Sequence, residues 1–357
     1  MMYEMEIREV KIAFKQWETD GLLYFPKRAG KFPVVVFSHG YNGFKMDFDE
    51  TAKYLAERGI ASLCYTFCGG STRDASGMPT TEMTIFSEIE NLKVVLDYVK
   101  QLEQVDADNV FTFGGSQGGL VTALTCDDRS EEIRGMMLLF PAFCIPENWT
   151  ERYADKADIP TELDFWGMKL GHDFFESIHG YDVFSKVGKY KNNVLVMHGD
   201  QDPIVSLGYS EKIEKCYEHV VLEVFQGEGH GFSPEGNRIM TEMVYEFVAT
   251  NVSGVGEKGI LVDRILRMEQ YMDEVSDALK NKPDVLKSNH ALRKKVEILT
   301  NYMDSGQWLK DYEADERGEL PQNLKRGVLS EDGLYNLICE VEEYEMLEDE
   351  KRIDTHE

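Results

Sequence analysis

The sequence predicts a doubly wound, mostly parallel α/β sheet with an inserted cap, followed by an all-α domain. Three observations carry this prediction. Short apolar runs alternate with helical stretches up to about residue 250. One aromatic-rich insertion interrupts that alternation, and beyond residue 259 the pattern is helical throughout.

Residues 6–25 read as two strands joined by a turn near Asp20-Gly21, with Val10, Ile12 and Phe14 alternating in the first. Residues 32–37 form a continuous apolar run ending at Ser38-His39-Gly40, the pattern of a strand covered on both faces. A helix over 47–58 leads to a strand over 61–67. The helix predicted over 84–104 carries Ile85, Ile89, Leu92, Leu96 and Val99 on one side and leads to a strand over 109–113. Another helix precedes a strand over 135–140. After the interruption come a strand over 194–197, a helix running through Cys216, a strand over 220–225 and a helix over 238–248. Alternation of this kind closes through right-handed crossovers into one sheet.

Between residues 141 and 193 the alternation stops and aromatic residues accumulate, among them Phe143, Trp149, Tyr153, Phe165, Trp166, Phe174 and Phe175. An insertion at the C-terminal end of a strand lies over the crevice where such sheets bind ligands, so a cap spanning about 143–192 is expected. Most of its rings are expected to pack the cap's own core, with one or two facing the cleft. Residues 251–259, with Gly254, Gly256 and Gly259, read as a linker, which divides the chain into a domain over 1–253 and a helical domain over 258–357. In the latter, Leu261, Ile265, Met268, Met272, Val275 and Leu279 form a helical seam. Leu292, Val296, Leu299 and Met303 form a second, and a third helix starts at Ser330. The stretch over 340–350 is strongly acidic, as expected of a solvated helix end.

Charge excludes several classes of partner. The chain has 357 residues with 65 acidic against 38 basic ones, a formal net charge of −27. Nucleic acid and anionic membrane would be repelled. No apolar run approaches the length that spans a bilayer, and the first ten residues show no secretory pattern, so the cytoplasm is the expected location. The six cysteines are scattered without metal-ligand spacing, so reduced thiols are expected, with no metal and no cofactor.

The chemistry concentrates in three loops. Gly114-Gly115-Ser116-Gln117-Gly118 fits G-x-S-x-G between a strand and a helix, the context of a nucleophile on a sharp turn. A phosphate-binding turn would need a Lys-Ser/Thr ending or G-x-G-x-x-G spacing, and neither is present. A serine needs a base oriented by an acid. His230 lies in the loop after the last strand, whereas His219 sits at the wrong end of the sheet and His290 and His356 fall in the helical domain. Asp200 and Asp202 both follow the strand over 194–197. Pro203 gives Asp202 a modest lead, because it favours an extended backbone before it. His198 reads as a strand-end packing residue. The oxyanion would be held by two main-chain amides, that of Gln117 and one from the loop after Phe37, for which Tyr41 is the choice.

Taken together, His39-Gly40-Tyr41, the G-G-S-Q-G-G run from Gly114, Leu139-Phe140-Pro141-Ala142, His198-Gly199-Asp200-Gln201-Asp202 and Gly229-His230-Gly231-Phe232 resemble the bacterial cinnamoyl and feruloyl esterases. These form a capped branch of the α/β-hydrolases close to monoacylglycerol lipases. The resemblance covers roughly residues 6–250. It implies Asp202 as the triad acid, Tyr41 and Gln117 as oxyanion donors, and a cap that receives an aromatic acyl group. A cap aspartate would hold the phenolic hydroxyl, with Asp158, Asp164 and Asp173 as candidates and Trp166 as a ring at the substrate. The expected activity is hydrolysis of small hydroxycinnamoyl or short-chain acyl esters through an acyl-enzyme on Ser116. Long-chain monoacylglycerols, peptides or amides are alternative substrates for the same triad, and a scaffold recruited for binding alone is the non-enzymatic alternative. The C-terminal part resembles a small bacterial helical domain of unknown function, through Trp308, Asp311, Asp315-Glu316, Gly318, Leu320-Pro321 and the run from Leu324 to Asp332. That domain is expected to hold a second copy or a protein partner.

Overall fold

The computed structural model describes residues 3–252, 257–321 and 324–354. The chain divides into two compact units, Met1–Gly256 and Glu257–Glu357.

The first unit opens with a hairpin of β1 (Met5–Phe14) and β2 (Trp17–Pro26). It continues through β3 (Phe32–Ser38), α1 (Asp49–Ala56), β4 (Ala61–Thr66), α2 (Ile85–Lys100), β5 (Val105–Gly115), α3 (Gln117–Asp128) and β6 (Gly135–Leu139). The cap supplies α4 (Ile145–Arg152), a two-stranded hairpin of β7 (Glu162–Phe165) and β8 (Met168–Gly171), and α5 (His172–Ile178). The sheet resumes with β9 (Asn193–Gly199), α6 (Leu207–Glu214), β10 (Val220–Phe225) and α7 (Pro234–Asn251).

Eight strands form one sheet in the order β1-β2-β4-β3-β5-β6-β9-β10. β1 and β2 pair antiparallel, β2 pairs antiparallel with β4, and every later pairing is parallel. The central strands are buried along their whole length: β3, β4 and β6 have no intermediate or exposed position. That explains their continuous apolar runs, since helices cover both faces. Helix α2 begins with a capping box in which Thr84 and Ser87 each satisfy the other's backbone amide.

The first hairpin departs from its expected register. Phe14 faces Trp17, so the chain turns at Lys15-Gln16 with Lys15 at φ 53°. Asp20-Gly21, a strong turn signal, lies inside β2. The glycine is there for space: a Cβ on Gly21 would sit 3.1 Å from Leu63 and 3.2 Å from Val10.

The second unit consists of α8 (Glu257–Asn281), α9 (Asp284–Ser288), α10 (His290–Asp304), α11 (Gln307–Glu316) and α12 (Glu331–Asp354). Two of these, α9 and α11, have no counterpart in the sequence reading. Both are short, and their apolar positions are too few to show a helical period. Ile265, Met268, Val275, Leu299, Val328 and Leu334 belong to their common core. Residues 253–256 of the expected linker lie outside the described residues. At its two ends Asn251 closes α7 and Gly259 falls within α8, so helix replaces linker there.

Trp308 and Asp311 have structural work in this unit. The Trp308 Nε1–H donates to Val328 O at 2.8 Å. The buried Asp311 carboxylate accepts from Arg264 at 2.8 and 2.6 Å, from the Tyr302 hydroxyl at 2.9 Å and from Gln307 at 2.9 Å. A buried charge is tolerated only when paired and hydrogen-bonded in this way.

Candidate active site

Ser116 is where the chain turns from β5 into α3, and the turn is strained. Its backbone lies at φ 53°, ψ −118°, a region that side chains with a Cβ rarely adopt. Neighbouring main chain holds it there. Its N–H donates to Leu139 O at 2.9 Å, and its carbonyl accepts from Gly119 and Ala142 N–H, each at 2.9 Å. The flanking glycines are required by close approach. A Cβ on Gly114 would stand 2.3 Å from Gly118 O, and one on Gly118 would stand 2.4 Å from both Ser38 O and His39 O.

The Ser116 hydroxyl reaches His230 Nε2 at 3.0 Å, and His230 Nδ1 reaches Asp202 Oδ2 at 2.7 Å. With Asp202 as acceptor, the ring proton belongs on Nδ1, leaving Nε2 free to take the hydroxyl proton. The Phe140 ring lies against the imidazole, centroids 4.4 Å apart. The Asp202 side chain is fully buried, and its other oxygen accepts from the Ile204 and Val205 amides at 2.8 and 2.9 Å. Asp200 is used elsewhere: it accepts from Gly227 N–H at 2.6 Å and so braces the loop that carries the histidine.

His198 proves to be more than a strand-end packing residue. Its Nε2 lies 2.9 Å from Val205 O and 3.2 Å from Asp202 Oδ2, and its Nδ1 lies 2.7 Å from Ser210 Oγ. Burial lowers its pKa, so a neutral ring fits, one that donates beneath the carboxylate without neutralising it.

Gln117 is the first residue of α3, where helix amides lack intrahelical acceptors and the helix dipole is positive. Its buried side chain donates to Glu88 Oε2 at 2.9 Å. Burial raises the Glu88 carboxyl to about 8, and the Gln117 hydrogen bond offsets this only partly, so the acid is protonated at neutral pH. The opposing loop is equally well braced. Burial lowers His39 to about 4. The neutral ring accepts from Phe67 N–H at 3.0 Å and donates to Gly40 O at 2.7 Å. A Cβ on Gly40 would meet the Ser116 Cβ at 3.1 Å, which places the following residue, Tyr41, beside Ser116. The Tyr41 hydroxyl donates to Phe165 O at 2.7 Å, joining this loop to the cap hairpin.

A cavity of about 370 Å³ opens above Ser116, bordered by Tyr41 and Gln117 below and by Trp149, Phe165, Trp166 and Phe174 from the cap. Its polar cap-side lining is Asn148 and Arg152, one turn apart on α4. Of the four cap residues expected at the substrate, only Trp166 borders this cavity. Asp158, Asp164 and Asp173 are exposed and absent from its lining. Their roles are local. Asp164 accepts from Gly167 N–H at 3.1 Å in the hairpin turn, Asp158 ends a 3₁₀ turn, and Asp173 lies in the first turn of α5.

Residues 46–254 match the model of the prolyl oligopeptidase family. The chain belongs to that family. Residues 265–349 match a second model, described as a domain of unknown function (DUF4298). Among solved structures, this prolyl oligopeptidase family member is similar to Est1E from Butyrivibrio proteoclasticus with ferulic acid bound. Identity is 28% and the TM-score 0.62, over 68% of this chain and 98% of that one. It shares its fold with the α/β-hydrolase GrgF from Penicillium sp. sh18, at 15% identity and TM-score 0.57, over 69% of this chain and 99% of that one. A curated relative, the quorum-quenching protein AidA of Acinetobacter baumannii (strain MDR-ZJ06), is 30% identical over 100 residues, 27% of this chain. The chain spans about a third of that relative's length, 32%. The fold is that of an α/β-hydrolase.

Three side chains in this site escaped the sequence reading. Glu88 left a signal: it interrupts the apolar stripe of Ile85, Ile89 and Leu92 on α2, and an acid on a buried helix face needs a partner. Asn148 and Arg152 left none, because their relation to the cleft arises from how the cap folds.

Proposed function

We propose that this hydrolase cleaves carboxylic esters through an acyl-enzyme on Ser116. In this reading His230 removes the hydroxyl proton as Ser116 attacks the ester carbonyl, and then delivers it to the departing alcohol. Asp202 orients the imidazole and stabilises its charged form without accepting the proton. The amides of Gln117 and Tyr41 hold the developing oxyanion, each worth about 3 kcal/mol in the transition state. A water activated by the same histidine releases the acid.

The observation that carries this reading is the unbroken Ser116–His230–Asp202 chain of 3.0 and 2.7 Å beneath the cap cavity. The aromatic walls, together with the likeness to Est1E with ferulic acid bound, support small hydroxycinnamoyl or short-chain acyl esters. Peptide bonds are the second reading, favoured by the matched family's description.

Initial rates on methyl ferulate, ethyl butyrate, a long-chain monoacylglycerol and a prolyl peptide amide test both. Ferulate turnover that disappears in Ser116→Ala, along with fluorophosphonate labelling, is the expected result. Preference for the peptide would replace the esterase reading, and wild-type protein that neither labels nor turns over any ester would end it.

A further inference from the structure

The cap cavity has an unusual charge pattern for so acidic a protein. Its lining contains no aspartate or glutamate, and its charged member is Arg152. The chain as a whole carries −27. Arg152 forms no ion pair among the described residues; its guanidinium instead lies over aromatic rings, 5.2 Å from the centroid of Trp149 and 5.7 Å from that of Tyr153. These two rings are stacked, 8° from parallel. Such a platform limits where the cation can swing while leaving its N–H edge open.

Position adds a second constraint. Arg152 and Asn148 are four residues apart on α4, so they share a face, and both border the cavity that also contains Ser116. Arg152 closes α4, where a cation complements the helix dipole, but that role would be served equally by a side chain pointing away from the cleft. Of the two carboxylates on the same helix, Glu147 accepts from the Tyr209 hydroxyl at 2.5 Å, and Glu151 does not line the cavity. The rest of the cap-side wall is apolar: Ile145, Trp149, Phe165, Leu170 and Phe174.

We infer that the substrate is an ester whose acyl group carries a carboxylate at the end remote from the ester bond, held by Arg152 with Asn148 beside it. The apolar wall takes the intervening carbon skeleton, and the planar guanidinium fork matches a carboxylate. This inference rests on the proposed esterase reading, in which the cap cavity receives the acyl group.

The test compares kcat/KM of the full chain for methyl 4-carboxycinnamate, methyl cinnamate and methyl ferulate, in wild type and in Arg152→Gln. A charge-assisted hydrogen bond predicts a preference of about tenfold for the carboxylated ester over cinnamate. Arg152→Gln should abolish that preference and, with it, the sensitivity of the preference to salt. Equal rates on the three esters in wild type, or an Arg152→Gln variant that loses all three alike, would overturn the inference while leaving the esterase reading intact. Failure of every ester, with Ser116 unlabelled, would instead strike the esterase reading itself.

Discussion

The floor and the roof of the cleft are built on different principles. The floor is a set of strand ends. β3, β5, β9 and β10 run parallel and stop at the same edge, so the loops bearing Tyr41, Ser116, Asp202 and His230 converge there. Its polar groups are tied by short hydrogen bonds, and Ser116 is strained in place by packed backbone. The roof has no such scaffold. It is held by aromatic contacts, with Trp149 against Phe165 and Phe175 at 5.0 and 4.8 Å, and by side-chain tethers that include the Tyr41 hydroxyl to Phe165 O and the Tyr209 hydroxyl to Glu147. A rigid floor and a hydrophobically packed roof divide the labour: directional bonds set the chemistry, and non-directional packing sets the shape of the pocket.

The sharpest break in this comparison is at the floor. Asp202→Asn should lower kcat by about 10⁴, because the imidazole tautomer is lost while the fold persists. A loss below tenfold, read from steady-state kinetics with circular dichroism as control, would remove Asp202 from the mechanism.

At the roof, Trp149→Ala should destabilise the protein by about 3–5 kcal/mol, since a buried ring leaves a cavity. It should lower kcat/KM on aromatic esters while fluorophosphonate still labels Ser116. If labelling falls as far as ester turnover does, floor and roof are not separable in this way.

A smaller effect is expected at the residue that supports Gln117. Burial raises the Glu88 carboxyl from its ordinary value of 4.5 to about 8. The folded state therefore holds a proton that the unfolded chain gives up, and the stabilisation present below about pH 4.5 is lost as pH rises to about 8. Glu88→Gln keeps the bulk without the titration. Urea denaturation should find the variant equal to wild type near pH 4.5 and more stable by a few kcal/mol, in order of magnitude, near pH 8.5. A stability difference that does not change with pH would mean that Glu88 is not held protonated.

The smallest effects are expected at the cap aspartates. Asp158→Asn, Asp164→Asn and Asp173→Asn should each leave kcat/KM on methyl ferulate within about twofold, because exposed surface substitutions usually change little. A tenfold rise in KM at any one of them would return that residue to the substrate site.

The two units differ in legibility for a related reason. In the first, buried parallel strands wrote their positions as continuous apolar runs, and the strand-to-helix turn at Ser116 was marked by glycines that no other residue can replace sterically. In the second, two of the long helices were visible through their seams and the third through its capping serine, but α9 and α11 were too short to show a period. The hairpin turn was misread because Gly21 serves close packing and not chain reversal, and one letter cannot distinguish these uses.

By itself, the sequence determined the layered α/β architecture, the succession of a serine, an aspartate and a histidine on loops at one edge of the sheet, and the presence of a cap, because periodicity and loop order are local properties of the chain. Tertiary structure alone decided that Asp202 reaches His230 while Asp200 braces a loop, that Glu88 supports Gln117, and that Arg152 borders the cavity while the cap aspartates do not. Each of these depends on where distant segments meet, and that is set by packing across the whole unit.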